Sequence, residues 1–140
     1  MKVVLDIETD GFNPSKIHCI VAKDINTNTV TIWDSGNMYG FKNWAKGVDT
    51  FIMHNGLSFD APVLNRLLDA EILPGNIVDT LILSQLFNPI REKGHSLKAW
   101  GEKLNMLKGG EGVNFSKYNQ AMLDYCKQDV EITHAVYKEL

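Results

Sequence analysis

What this 140-residue sequence lacks narrows what it can be. It has no stretch near the roughly 18 consecutive apolar residues that a membrane-crossing helix needs, so no membrane role is expected. Its N-terminus, Met1-Lys2-Val3-Val4-Leu5-Asp6, has neither an apolar signal region nor a small-residue cleavage site, so export is not expected. Cysteine is scarce. Cys19 and Cys126 lie far apart in sequence without CxxC spacing, which argues against both a zinc site and a disulfide. Both are read as reduced thiols in a cytoplasmic protein. There is also no surplus of positive charge: 14 Lys+Arg stand against 17 Asp+Glu, for a net charge of −3. That argues against a protein that coats DNA generally, which would be basic. A nuclease stays open, because bound divalent cations would supply the positive charge that phosphate needs. Repeats, low-complexity tracts and linkers are absent too. A single domain over residues 1–140 is expected, and 44% hydrophobic content is enough for a core.

What is present reads as strands first, then helices. Val3–Ile7, Ile17–Ala22 and Val30–Trp33 are β-branched runs separated by polar turns, and they predict an antiparallel meander. Phe41–Lys46 predicts a short helix and Phe51–Met53 a short strand. Val63, Leu64, Leu67 and Leu68 recur at helical spacing, placing a helix over about Phe59–Ala70. Ile77-Val78 is a further strand. Asp79, Ser96 and Asn119 are expected caps for helices reaching Leu86, Leu104 and the C-terminus. Gly109–Gly112 reads as a flexible loop. The fold class expected is α/β, with a mixed sheet of about five strands flanked by helices.

Four carboxylates stand out. Asp6 and Glu8 are two apart at the end of the first strand and project to the same side, with Ile7 on the other. Adjacent acids repel unless a cation lies between them. Alone, the pair reads as solvated charge, Asp60 as a helix-start acid, and Tyr125 with Asp129 as one face of the last helix. Taken together, four carboxylates and a phenol suffice to hold two hard cations and act on a phosphodiester.

These residues carry a resemblance. Leu5-Asp6-Ile7-Glu8-Thr9-Asp10-Gly11, His54-Asn55-Gly56-Leu57-Ser58-Phe59-Asp60 and Tyr125-Cys126-Lys127-Gln128-Asp129 resemble, in order, the three motifs of the DEDDy exonucleases of the ribonuclease-H-like superfamily. The proofreading domains of phage family A DNA polymerases are the particular likeness. Asp79-Thr80 and His95–Gly101 resemble that family's intermotif segments, so the likeness covers nearly the whole chain.

The resemblance implies a 3′→5′ exonuclease that hydrolyses single-stranded DNA from its 3′ end and releases nucleoside 5′-monophosphates. It implies two Mg²⁺ or Mn²⁺ ions held by Asp6, Glu8, Asp60 and Asp129, with Tyr125 orienting the attacking water. A phenol is a poor base at neutral pH, so aiming is the role expected of Tyr125. The sister subfamily carries His five residues before the last acid; here that position is Asp124. Thr9, His54 and Asn55 fall within the motifs as candidate substrate contacts. Phe12 and Phe115 are candidate stacking surfaces for frayed bases, with ordinary core packing as the competing reading. Lys16, Lys108, Lys117 and Lys127 are scattered candidates for phosphate contact, and His134 reads as a helix-surface residue. No polymerase motif follows the last helix. A free-standing proofreading nuclease serving a separate polymerase chain, in a bacterial or phage-infected cytoplasm, and an excised polymerase domain both stay open. So does a preference for RNA, because nothing here reads a 2′-hydroxyl.

Overall fold

The computed structural model describes residues 1–107, 109 and 113–140. Lys108 and all of the expected Gly109–Gly112 loop except Gly109 lie outside them. Five strands form one mixed sheet: β1 (Lys2–Thr9), β2 (Ile17–Asp24), β3 (Val30–Trp33), β4 (Thr50–Met53) and β5 (Ile77–Asp79). Their order is β3-β2-β1-β4-β5. The first three pair antiparallel, as the short polar turns require. β1–β4 and β4–β5 pair parallel, with helices in the connections.

The alternation along β1 sets the layers. Val3, Leu5 and Ile7 point into a core with Phe41, Ala61 and Leu64. Phe41 belongs to α1 (Phe41–Ala45); Ala61 and Leu64 belong to α2 (Asp60–Leu68). Val4 points the other way, into a cluster with Cys19, Val21, Ile52 and the long C-terminal helix α5 (Gln120–Glu139). In β2, Ile17 shares a core with Ile20 and Ala22 despite the change of parity. The register explains this: Glu8 pairs with Cys19 and Thr9 with Ile17, so His18 is an extra residue in a bulge.

The expected caps are made by side chains. Asp79 accepts from Leu81 N at 3.0 Å to start α3 (Thr80–Phe87), and Ser96 accepts from Ala99 N to start α4 (Leu97–Lys103). Asn119 accepts from Met122 N to start α5. Short 3₁₀ turns at Met38–Gly40 and Pro74–Asn76 carried no periodicity to announce them.

One expectation is overturned. His134 is not a surface residue; it is buried. α5 packs on β1, β2 and β4 and also on α4, where Ile132 and Val136 meet Leu97 and Trp100. A helix pressed from two sides buries a wider arc than one stripe. No helix among the described residues is long and apolar enough to cross a membrane.

Candidate functional site

Asp6 and Glu8 sit on the face of β1 that looks toward α5. Asp60 is the first residue of α2 and is 5% exposed; Asp129 lies mid-way along α5 and is 4% exposed. Three separate elements thus bring four acids to one place. Burial raises the Asp6 carboxyl well above the ordinary range, and Asp129, Asp60 and Glu8 each add to the rise. Asp60 is raised likewise, by burial first and then by Glu8 and Asp79. Its Oδ2 is buried with no hydrogen-bond partner. Without a cation, these groups are held at a cost that their protons partly relieve.

The donor set fits a divalent cation. Carboxylate oxygens of Asp6 and Glu8 lie within 4.8 Å of each other and of the Cys126 sulfur, with the uncompensated oxygen of Asp60 in the same acidic cluster. Oxygen ligands in a converging cluster are what Mg²⁺ and Mn²⁺ take. Cys126 was not anticipated here. Its Sγ lies 3.4 Å from Asp6 Oδ2, and burial, Cys19 and Asp6 push the thiol well above its ordinary range.

A cleft of about 350 Å³ opens beside Glu8, lined by Ile7, Thr9, Gly11, Phe12, Phe59 and Phe115. Phe12 is fully exposed at 101%. Phe115 stands edge-on to the half-buried Tyr125, with ring centroids 5.7 Å apart. The segment carrying Phe115 is tied to the bulge of β2, because His18 Nε2–H donates to the Phe115 carbonyl at 3.0 Å. Thr9 is buried and its hydroxyl donates to Gly11 O, closing the turn after β1. Phe59 and His18 were not singled out in the sequence. Phe59, directly before Asp60, carried a local signal through its place in the second motif.

The turn before α2 is fixed by Asp79. Its carboxylate accepts from Asn55 N at 2.9 Å and Leu57 N at 3.1 Å, besides capping α3. Asn55 has φ 66, and Gly56 has no room for a Cβ against Met53. One buried carboxylate therefore aims the segment that delivers Asp60.

His54 faces another way. Its Nε2–H donates to His95 O at 2.9 Å, and Nδ1 meets the Thr80 hydroxyl at 2.8 Å. His95 in turn meets Ser84 Oγ at 2.6 Å, and Trp100 Nε1–H donates to the same hydroxyl. Both histidines knit α3 and α4 to β4. Lys16 and Lys117 are exposed and Lys127 is half-buried.

No family model matches the chain. Over 99% of its length it is 28% identical to part of the DNA-directed DNA polymerase of Escherichia phage T7 and 27% identical to part of that of Enterobacteria phage T3. In each case the matched part is 26% of the polymerase, so the chain spans about a quarter of these relatives' length. Among solved structures, the fold matches the family B DNA polymerase of the hyperthermophilic archaeon Pyrobaculum calidifontis with a TM-score of 0.69 at 15% identity. That match covers 99% of this chain and 24% of the other. The chain is thus related to part of phage DNA polymerases, and its sheet is the mixed five-stranded, ribonuclease-H-like α/β arrangement expected from the sequence.

Proposed function

We propose that this chain is a single-domain, metal-dependent 3′→5′ exonuclease that hydrolyses single-stranded DNA from its 3′ end. The observation that carries the reading is the convergence of Asp6, Glu8, Asp60 and Asp129, with Asp6 and Asp60 held above the ordinary carboxylate range by burial and by their neighbours. A domain that only bound or scaffolded nucleic acid would have no need of mutually repelling buried acids. The order of the acids, the similarity to phage DNA polymerases and the cleft beside Glu8 support the same reading.

Asp6, Glu8, Asp60 and Asp129 would hold two divalent cations, Mg²⁺ or Mn²⁺. When bound, these would neutralise the phosphate and make water a better nucleophile. The chain's own residues do the rest. Tyr125, half-buried and braced by Phe115, orients the attacking water with its hydroxyl. Phe12, Phe59 and Phe115 offer apolar surface on which unpaired bases stack without reading sequence. Thr9 and Asn55 border the acids and shape the turns against which the terminal nucleotide lies. His54 acts as a strut through its bonds to Thr80 and His95, instead of touching DNA. Water oxygen bonds to phosphorus and the bond from phosphorus to the 3′ oxygen breaks. The shortened strand keeps a 3′-hydroxyl, and a nucleoside 5′-monophosphate leaves.

The domain serves proofreading in phage replication, alongside a polymerase on a separate chain or as part of one. With a net charge of −3 it holds DNA weakly by itself, and that affinity falls with salt.

The test follows 3′-labelled and 5′-labelled single-stranded oligonucleotides, DNA and matched RNA, with Mg²⁺ or Mn²⁺ and with chelator, beside Asp6→Ala. A metal-dependent ladder shortening from the 3′ end, lost in the variant and stronger on DNA, is the expected result. Full activity in excess chelator sinks the metal role, and full activity in Asp6→Ala sinks the site. A ladder from the 5′ end reverses the polarity, and faster cleavage of RNA overturns the substrate.

A further inference from the structure

Cys126 follows Tyr125 directly and precedes Asp129 by three residues, so on α5 it lies on the same side as Asp129, toward β1. It is completely buried. Its Sγ lies 3.4 Å from Asp6 Oδ2 and 3.5 Å from the Asp6 backbone oxygen. Both contacts run from a helix to a strand 120 residues away. The Asp6 backbone oxygen can only accept a hydrogen bond, whereas a thiol is a weak donor, so the S–H is the group that donates across this contact. The other groups acting on Asp6 are the like charges of Asp129, Asp60 and Glu8, which drive its carboxylate away from them. The thiol does the opposite. It pins one carboxylate oxygen and the main chain of the same residue together.

We infer that Cys126 is a positioning residue, whose thiol fixes the orientation of the Asp6 carboxylate before a divalent cation arrives. The inference rests on reading the acidic cluster as a cation site. Pre-orientation of a ligand by a hydrogen bond from outside the ligand set raises metal affinity, because the ligand then has less freedom to lose on binding.

Two substitutions separate this role from packing. Cys126→Val fills the buried site with an apolar side chain slightly larger than the thiol and removes the donor. Cys126→Ser keeps a donor and loses volume. Mn²⁺ binding to the whole chain is measured without DNA, from loss of the free ion's paramagnetic signal, and thermal unfolding is followed alongside. Cys126→Val is expected to weaken Mn²⁺ binding about three- to tenfold while unfolding near the parent temperature. Cys126→Ser is expected to bind within about twofold of the parent while unfolding earlier. A purely structural role would move stability and affinity together.

Unchanged Mn²⁺ affinity in Cys126→Val overturns the inference and leaves the cation site standing. Equal weakening in Cys126→Ser and Cys126→Val also overturns it, because a donor would then not matter. No Mn²⁺ binding by the parent chain means that the cation reading itself fails, and this inference with it.

Discussion

On one face of β1, Val3, Leu5 and Ile7 are sealed against α1 and α2; on the other, Val4 is apolar while Asp6 and Glu8 face α5. The strand, its pleat and its hydrogen bonds are common to both faces. The first face gains free energy from every side chain it buries. The second carries charge that burial opposes, so that Asp6 is raised well above its ordinary range. Burial of Val4, Cys19, Val21 and Val130 in the apolar cluster on the same face offsets that cost. The contrast teaches that stability and the proposed chemistry are divided by residue parity along one strand. Substitutions one or three positions apart should therefore have effects of opposite sign.

The largest effect should come from the dry face. Leu5 is 1% exposed, and Leu5→Ala leaves a cavity under the centre of the sheet. A loss of about 2–5 kcal/mol is expected in urea unfolding. Cation affinity of the fraction still folded should stay near that of the parent. A Leu5→Ala protein as stable as the parent would mean that the two faces are not divided in this way.

The acids that gather beside Asp6 and Glu8 should answer in reverse, including one delivered by α2. Asp60 is buried, with one oxygen lacking a partner and Glu8 and Asp79 adding repulsion. Asp60→Asn removes that charge and should raise the stability of the cation-free protein by on the order of 1 kcal/mol, while weakening Mn²⁺ binding. Loss of stability without any change in Mn²⁺ affinity would make Asp60 a structural acid.

The pH dependence follows the same contrast. Asp6 and Asp60 have folded-state values above those of the unfolded chain, so between the two the folded state holds the extra protons. Without cations, stability should therefore fall as pH rises from about 4 through the raised values. Asp10, Asp49 and Asp69 are exposed and lowered by Ser15, the N-terminal amine and Lys42 respectively. Their contribution has the opposite sign and is lost only as pH falls below about 4, so the two windows separate. Saturating Mn²⁺ should abolish the decline above pH 4. Burial lowers His134, which adds a rise over the same span, so the decline is read in His134→Gln. A melting temperature of that variant that rises steadily from pH 4 to pH 7 without cations would contradict the shifts at Asp6 and Asp60.

Most of the frame was legible in the sequence because it is encoded locally. β-branched runs between polar turns marked β1, β2 and β3, and Asp79, Ser96 and Asn119 marked helix starts, since a cap is decided within three residues. The acids were legible only as an ordered set, each being ordinary alone. What escaped depends on distant packing. Cys19 and Cys126 are far apart in sequence, yet one thiol influences the other across the β2–α5 contact. Asp79 was read as a cap, but it also holds the turn that delivers Asp60. His134 looked external because no sequence period reveals that α5 is pressed by both the sheet and α4.

Phe12 belongs to neither face, and the smallest stability effect is expected there. It projects from the turn after β1 and buries nothing in the fold, so Phe12→Ala should alter stability by less than about 0.5 kcal/mol. Its ring borders the cleft that contains Glu8 and Phe115. Stacking of one base on an aromatic ring contributes about 1–3 kcal/mol. Even the low end weakens the binding of a short single-stranded oligonucleotide about fivefold. The loss should be similar for every base at the 3′ end, because any base offers a ring face. Fluorescence anisotropy in Ca²⁺, chosen to hold the site without supporting turnover, would read that affinity. Unchanged affinity would remove Phe12 from the substrate path and leave the cleft to Phe59 and Phe115. A loss confined to one terminal base would mean that the turn reads sequence, which stacking alone does not do.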